Sequence, residues 1–205
     1  MQTLRHKQKE FRRKRVISVA MTLFLKRGYN AVKLEEIARE AEVSAATTYT
    51  YFKTKNDLLL AVIIEDFQDS FEMGEKIISG TLTDTGNAVT RLAYCHFREV
   101  EGGPSREMWR IAIAAYIRNP DSPFSKEYDA CLKKMRRQYV QLIGRLRTLG
   151  HLPISTDVSN LTNVLINNAN MIFIEFTRDE TVTIASFFKR LNATTDKVIL
   201  WAKGN

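Results

Sequence analysis

Apolar positions along this chain recur every three to four residues, and that period predicts helices almost throughout. One stripe runs through Ile17, Ala20 and Phe24, a second through Leu60, Ile64, Phe67, Phe71 and Ile78, and a third through Val89, Ala93, His96 and Val100. A longer one joins Tyr128, Met135, Leu142 and Leu149, with Cys131, Tyr139 and Leu146 beside it. Residues 108–117 (MWRIAIAAYI) are apolar nearly all round, the pattern of a helix in the middle of a bundle. No run alternates convincingly with the period of a strand. Prolines and glycines fall in turn-like contexts: Pro104 in EGGPS, Pro120 and Pro123 in RNPDSPF, Pro153 in GHLPIST, and further stops at Gly28 and Gly80. Ser122 before Pro123 marks a helix start, a capping hydroxyl followed by proline at the first helical position. The pattern predicts an all-α chain of about nine helices, without internal repeats.

The first quarter resolves into shorter pieces. Residues 8–27 read as a helix stopped by Gly28, residues 34–41 as a second and residues 45–51 as a third. The turn Glu42-Val43-Ser44 joins the last two. Two short helices across such a turn are a helix-turn-helix candidate. Ile37, Ala38 and Val43 would close against Ile17, Ala20 and Phe24, and Ser44 is placed to cap the third helix. Thr54 would cap a long fourth helix over residues 55–79, with Asp57 adding a carboxylate to its first turn.

Charge changes the picture next. Residues 1–55 hold 13 Lys/Arg against 5 Asp/Glu, whereas the remaining 150 hold 18 of each, so the whole excess of +8 sits at one end. That partition points to a polyanionic partner for the amino-terminal region. The third helix, AATTYTY, is uncharged and slim. Its seven residues, at 1.5 Å each, span about 10 Å, close to the width of the DNA major groove. Small, methyl- and hydroxyl-bearing side chains suit thymine methyls and base edges. The candidate DNA contacts are Ser44, Ala45, Thr47, Thr48, Thr50, Tyr49 and Tyr51, the two phenols offering hydroxyls to phosphates. Lys33 and Lys55 are candidate phosphate contacts, Lys55 by its charge and through the amides that open the fourth helix. Thr48 suits the domain's interior as well as it suits the groove. Arg5, Lys7, Lys9, Arg12 and Arg13 of the amino arm would add salt-sensitive phosphate or minor-groove contacts.

At these residues the stretch RVISVAMTLFLKRGYNAVKLEEIAREAEVSAATTYTYFKTKNDL resembles the amino-terminal domain of the tetracycline-repressor (TetR) family of transcription regulators. The match runs through Val16-Ile17, Val19-Ala20, Leu23-Phe24, Gly28-Tyr29, Ile37-Ala38, Ala41, Val43-Ser44, Thr47, Tyr49, Tyr51-Phe52, Lys55 and Leu58. Three positions depart from the family pattern. Glu42 stands where glycine is usual, at a cost on the order of 1 kcal/mol if it is left-handed. Lys33 replaces a common capping threonine, and Ala45-Ala46 replaces a Lys-Gly-like pair. The resemblance implies two domains, residues 1–54 binding DNA and residues 55–205 binding an effector and dimerising. It also implies a cytoplasmic repressor that binds a palindromic double-stranded operator as a homodimer and is released by a small molecule, with the dimer interface a four-helix bundle of the last two helices.

Beyond residue 55 the sequence supplies candidates only. Helices over about 157–177 and 181–202 offer apolar surface for pairing through Leu161, Leu165, Ile172 and Phe176, then Ile184, Phe188, Leu191 and Val198. Asn167, Asn168 and Asn170 interrupt the first of these stripes. Phe67, Phe71, Tyr94, His96, Phe97, Trp109, Ile113 and Tyr116 are candidate ligand contacts for an apolar or aromatic effector, although rings at helical spacing equally build plain core. HExxH, GxSxG, P-loop and dinucleotide fingerprints are absent and His6, His96 and His151 are scattered, so neither catalysis, a metal nor a cofactor is expected. Cys95 and Cys131 fit no disulfide framework, which suits a reducing compartment. No apolar run reaches membrane-span length; LLLAVII at 58–64 is the longest. Two alternatives stand beside the regulator: a DNA-binding factor without a small-molecule signal, and a membrane-surface protein anchored by its basic first helix.

Overall fold

The computed structural model describes residues 4–82, 85–97 and 102–204. Within them nine helices follow one another without a strand: α1 (Leu4–Arg27), α2 (Leu34–Glu40), α3 (Ala45–Tyr51), α4 (Lys55–Ser79), α5 (Thr85–Phe97), α6 (Arg106–Arg118), α7 (Pro123–Thr148), α8 (Val158–Arg178) and α9 (Ile184–Lys203). Val100, the last member of one predicted stripe, lies outside the described residues.

Residues 1–66 and 104–128 cluster as one compact unit, and residues 67–103 and 129–205 as another. The functional boundary expected at residue 54 therefore falls inside the first unit. There, α1 presents Val16, Ile17, Ala20 and Phe24 to α2 and α3, and all four are buried with Ile37, Ala38, Val43 and Phe52. Gly28, at φ 79°, stops α1 by turning its N–H back to the Phe24 carbonyl at 2.9 Å, a conformation glycine adopts without a Cβ penalty. The rings of Phe52 and Phe124 lie 5.6 Å apart, which ties the start of α7 to the same core. Ser122 caps α7 as predicted, accepting from the Ser125 N–H at 3.0 Å. In α6 only one face is buried, through Met108, Trp109, Ala112 and Ala115. The all-round burial predicted from its composition does not occur, because Ile117 faces out at 70% exposure.

The second unit packs α9 against α5 and α8. Its centre is a cluster of rings from Phe97, Phe173, Phe176 and Phe187, with centroid separations between 5.1 and 6.4 Å. Leu142 and Leu146 of α7 are buried as the long stripe requires, whereas Leu149 at its end is exposed. Most of the stripe predicted for pairing with a second copy is absorbed here. Leu161, Leu165, Ile172 and Phe176 of α8 and Phe188 and Leu191 of α9 are buried within the chain's own unit. Of the predicted positions Ile184 stays exposed and Val198 is half-buried; the other exposed apolar side chains of these helices are Val164, Met171 and Ile174 on α8 and Leu200 and Trp201 on α9.

Candidate nucleic-acid interface

The turn between α2 and α3 is closed by the Val43 N–H donating to the Ala38 carbonyl at 2.9 Å. Glu42 sits in that turn at φ 49°, the left-handed conformation at the position where glycine would be free of strain. Its carboxylate is held by the Arg15 guanidinium. Ser44 then opens α3: its Oγ accepts from the Thr47 N–H at 3.2 Å and lies 2.8 Å from the Thr47 hydroxyl. Lys33, at the corresponding place before α2, is exposed and makes no side-chain cap. Thr54 and Asp57 form a reciprocal capping box at the start of α4, each side chain accepting from the other's backbone N–H, at 3.1 and 2.9 Å.

On α3, Ala45, Ala46, Tyr49 and Thr50 are exposed, Thr47 and Tyr51 are half-buried, and Thr48 is buried at 1% exposure. Thr48 is thus removed from the base-contacting set: one turn in from Ser44, it faces the α1–α2 side, where its Oγ1 finds no hydrogen-bond partner. Thr50 directs its hydroxyl proton to the Ala46 carbonyl at 2.9 Å, leaving its methyl and lone pairs outward. The outer face of α3 is therefore methyl-rich and without charge.

Two of the expected phosphate contacts are already engaged. The Tyr49 hydroxyl donates to Glu35 Oε1 of α2 at 2.6 Å. That bond holds the Glu35 carboxyl below its usual range and raises the Tyr49 phenol. Lys55 corrects its expected role. Its ammonium donates to the carbonyls of Tyr29 at 2.8 Å and Val32 at 2.9 Å and lies 4.1 Å over the Tyr29 ring. The physical reason is that the α1–α2 connection leaves carbonyls without helical partners, and the lysine at the start of α4 is within reach of two. Burial lowers the Lys55 pKa, opposed by Glu107.

The cations that face the groove side of α3 come instead from α1. Arg5, His6, Lys9 and Arg12 line one wall of an open groove of about 450 Å³, and Thr47, Thr50 and Tyr51 of α3 line the other. The amino arm is helical from Leu4, so Arg5, Lys9 and Arg12, at i, i+4 and i+7, share a face. His6 was not among the sequence candidates, and its place on this wall follows only once the helix is known to extend so far. Arg13, one residue on, leaves the set: its guanidinium lies 5.8 Å from the Phe52 ring centre and 3.7 Å from Glu127. The arrangement as a whole can hold a polyanion by its rails while presenting an uncharged helix between them.

The eight candidate ligand contacts divide between the units. Trp109, Ile113 and Tyr116 belong to the first, where Tyr116 packs on Tyr128 with ring centres 5.0 Å apart. Phe67, Phe71, Tyr94, His96 and Phe97 belong to the second. Phe67 and Phe71 stack at 5.7 Å, and His96 lies edge-on to Phe71 at 6.1 Å. His96 Nε2 meets Gln138 Oε1 at 2.7 Å, while the Gln138 amide donates to the Phe71 carbonyl and to Glu75, both at 2.9 Å. The imidazole is 2% exposed with its Nδ1 unpartnered, and burial pushes its pKa down to about 4. Of this group only Tyr94 is exposed, resting on Phe188 at 4.7 Å.

Comparison with known proteins bears on the amino-terminal part first. Residues 16–62 match the model of a family described as bacterial regulatory proteins, tetR family. An uncharacterized HTH-type transcriptional regulator of Bacillus subtilis, YuxN, is 29% identical over 135 residues, which are 66% of this chain and 43% of that protein. The HTH-type transcriptional repressor KstR of Rhodococcus jostii is 39% identical over 61 residues, 30% of this chain and 28% of that one. The chain thus spans less than half the length of either curated relative. Among solved structures, the transcriptional regulator FadR of Bacillus subtilis, in complex with stearoyl-CoA, superimposes with a TM-score of 0.66 at 17% identity, covering 93% of this chain and 97% of that one. The transcriptional repressor FadR of Thermus thermophilus, in complex with lauroyl-CoA, gives the same score at 16% identity, covering 92% and 93%. At these identities the likeness is one of fold.

Proposed function

We propose that this chain, whose residues 16–62 match the model of the tetR family of bacterial regulatory proteins, is a ligand-responsive repressor of that family that binds a palindromic operator as a homodimer. In this reading residues 1–54 contact DNA and residues 55–205 take the effector and pair the copies. The observation that carries it is the uncharged outer face of α3 beside the Arg5, Lys9 and Arg12 wall of α1. A major-groove helix needs such a face, and flanking cations supply affinity that does not depend on sequence. Ala45, Thr47 and Thr50 would meet base edges, and Lys33, Tyr49, Tyr51 and the α1 cations would meet phosphates. The fold neighbours in complex with acyl-CoA thioesters support a ligand-taking second unit. Helix α4 would couple the two tasks. It begins at the capping box beside α3 and carries Phe67 and Phe71 farther along, so an effector that favours one tilt of α4 would shift the fraction of dimers whose α3 helices fit successive grooves.

Selection of duplexes from a randomised pool with the full chain tests the reading. Enrichment of an inverted repeat with half-sites one helical turn apart is the expected result. Failure to enrich any sequence over bulk duplex would overturn it. A second reading, regulation without a small molecule, draws on the burial of these rings: Phe67 stacks on Phe71 and His96 lies edge-on to Phe71, while Phe97 packs on Phe173. The membrane-surface alternative loses its footing, because the apolar stripe of α1 that an anchor would need is buried in the first unit.

A further inference from the structure

Within the second unit lies an open groove of about 450 Å³ in which, of the ligand contacts expected from sequence, only Tyr94 takes part. A small-molecule site commonly measures about 300–1,000 Å³ and is mostly apolar with a few placed polar groups. This groove has that character. Met73, Lys76 and Ile77 of α4 form one wall at i, i+3 and i+4, and Arg91, Tyr94 and Cys95 of α5 repeat the spacing on the other. Each wall therefore offers apolar surface and one cation. Met73 and Ile77 face the buried Cys95 and the Tyr94 ring, which Phe188 supports from behind at 4.7 Å. Lys76 and Arg91 are exposed, and neither is in an ion pair with another described residue. The nearby carboxylate of Asp196 on α9 accepts from the Thr90 hydroxyl at 3.2 Å. Asn192 of α9 completes the lining, and its Oδ1 is buried without a hydrogen-bond partner. A flip of that amide turns an N–H donor to the same place, where a carboxylate oxygen would accept it.

We infer that this groove between α4, α5 and α9 binds a small amphipathic carboxylate, its chain on Met73, Ile77 and Tyr94 and its head between Lys76 and Arg91. Two cations on opposite walls, neither ion-paired with a described residue, disfavour a cationic ligand. The apolar floor disfavours a purely polar anion, whose desolvation nothing there would offset. Since α4 forms one wall, the site names the ligand class for the regulator proposed above and rests on that reading for its effect on DNA, though not for binding itself.

Calorimetric titration of the full chain without DNA is the test, with decanoate, decanol and decylamine as probes. Saturable one-to-one binding of decanoate, weaker binding of decanol and none of decylamine is the expected order. The Lys76→Ala/Arg91→Ala double variant should bind decanoate about fivefold more weakly, the scale of two exposed charge contacts, with an unchanged melting temperature. Ile77→Glu, at a half-buried position, should abolish decanoate binding. Equal affinity for decanoate and decanol, or unaltered binding by the double variant, would overturn the assignment. A duplex-binding measurement on the same samples separates the two proposals. Decanoate binding without any change in DNA affinity leaves the site standing and removes the α4 coupling. Intact DNA binding with no decanoate binding does the reverse.

Discussion

Glu35 and Tyr49 show how a single contact can set affinity at an interface. The phenol that would reach a phosphate already donates to a carboxylate on the same surface. On DNA it exchanges one anionic acceptor for another, so Tyr49→Phe should weaken binding only slightly. In the proposed complex the Glu35 charge, by contrast, would stay near the phosphates and repel them. Glu35→Gln is expected to tighten duplex binding about threefold at low salt, an effect that fades as added salt shortens the screening length. Fluorescence anisotropy at two salt concentrations reads both variants, and a tighter Tyr49→Phe or a weaker Glu35→Gln would contradict the argument. His96 acts on stability instead. Its folded pKa, about 4, lies below the unfolded value of 6.5. Between those values the unfolded chain takes up a proton that the folded chain refuses. Stability is therefore full above pH 6.5 and declines as pH falls toward 4, by about 3 kcal/mol from this group. His96→Phe should flatten that part of the pH profile in urea unfolding. Above pH 6.5 it should also cost about 1–3 kcal/mol, because Gln138 Oε1 loses its donor, and that difference should close as pH falls toward 4.

Elements carry the next set of consequences. Helix α2 starts at Lys33 without a side-chain cap. Lys33→Thr would supply the missing acceptor and raise stability by about 0.5–1 kcal/mol. If Lys33 meets a phosphate, the same change removes one counterion-releasing contact, and the slope of log affinity against log salt becomes shallower by about 0.9. Thermal unfolding and a salt titration together decide the matter: a more stable variant with an unchanged slope would free Lys33 of any DNA role. The helices themselves were legible from sequence because their apolar period is local. The α2–α3 turn, the Ser44 cap and the Thr54–Asp57 box were legible because capping chemistry acts within three residues. Lys55 was not, since its partners are carbonyls 23 and 26 residues earlier, exposed only by the course of the α1–α2 connection. Gln138 went unnoticed for a related reason. A polar residue in the α7 stripe reads as a surface position until Gly74 opens room for its amide against α4, where a Cβ would collide with it. The pairing stripe of α8 was misassigned because that helix is apolar on two sides, and periodicity alone cannot say which side its own chain covers.

At the scale of the whole molecule, that second side is the decisive feature. Val164, Asn167, Met171 and Ile174 recur at spacings of three and four along α8, and all are exposed. Trp201, at 72% exposure, and Leu200 extend the apolar surface from α9. Asn168 is a different case, since its amide donates to Thr194 of α9 at 2.9 Å and joins the two helices within one chain. An aromatic and several aliphatic side chains left outside a chain with a full core of its own suit an isologous contact with a second copy. Only a pair presents two α3 helices to a two-fold site. Met171→Glu should then place two like charges close together across the two-fold axis, which disfavours association. The variant is expected to sediment as a monomer and to melt as a folded chain, because Met171 contributes little to its own core. It should lose about 100-fold or more in affinity for an inverted repeat while its affinity for a single half-site is unchanged. Ile154→Glu, at 84% exposure in the α7–α8 connection, is the matched control and should leave both measurements unaltered. A Met171→Glu protein that remains dimeric, or a monomer that keeps full affinity for the repeat, would remove the pairing face from α8 and with it the two-fold account of DNA recognition.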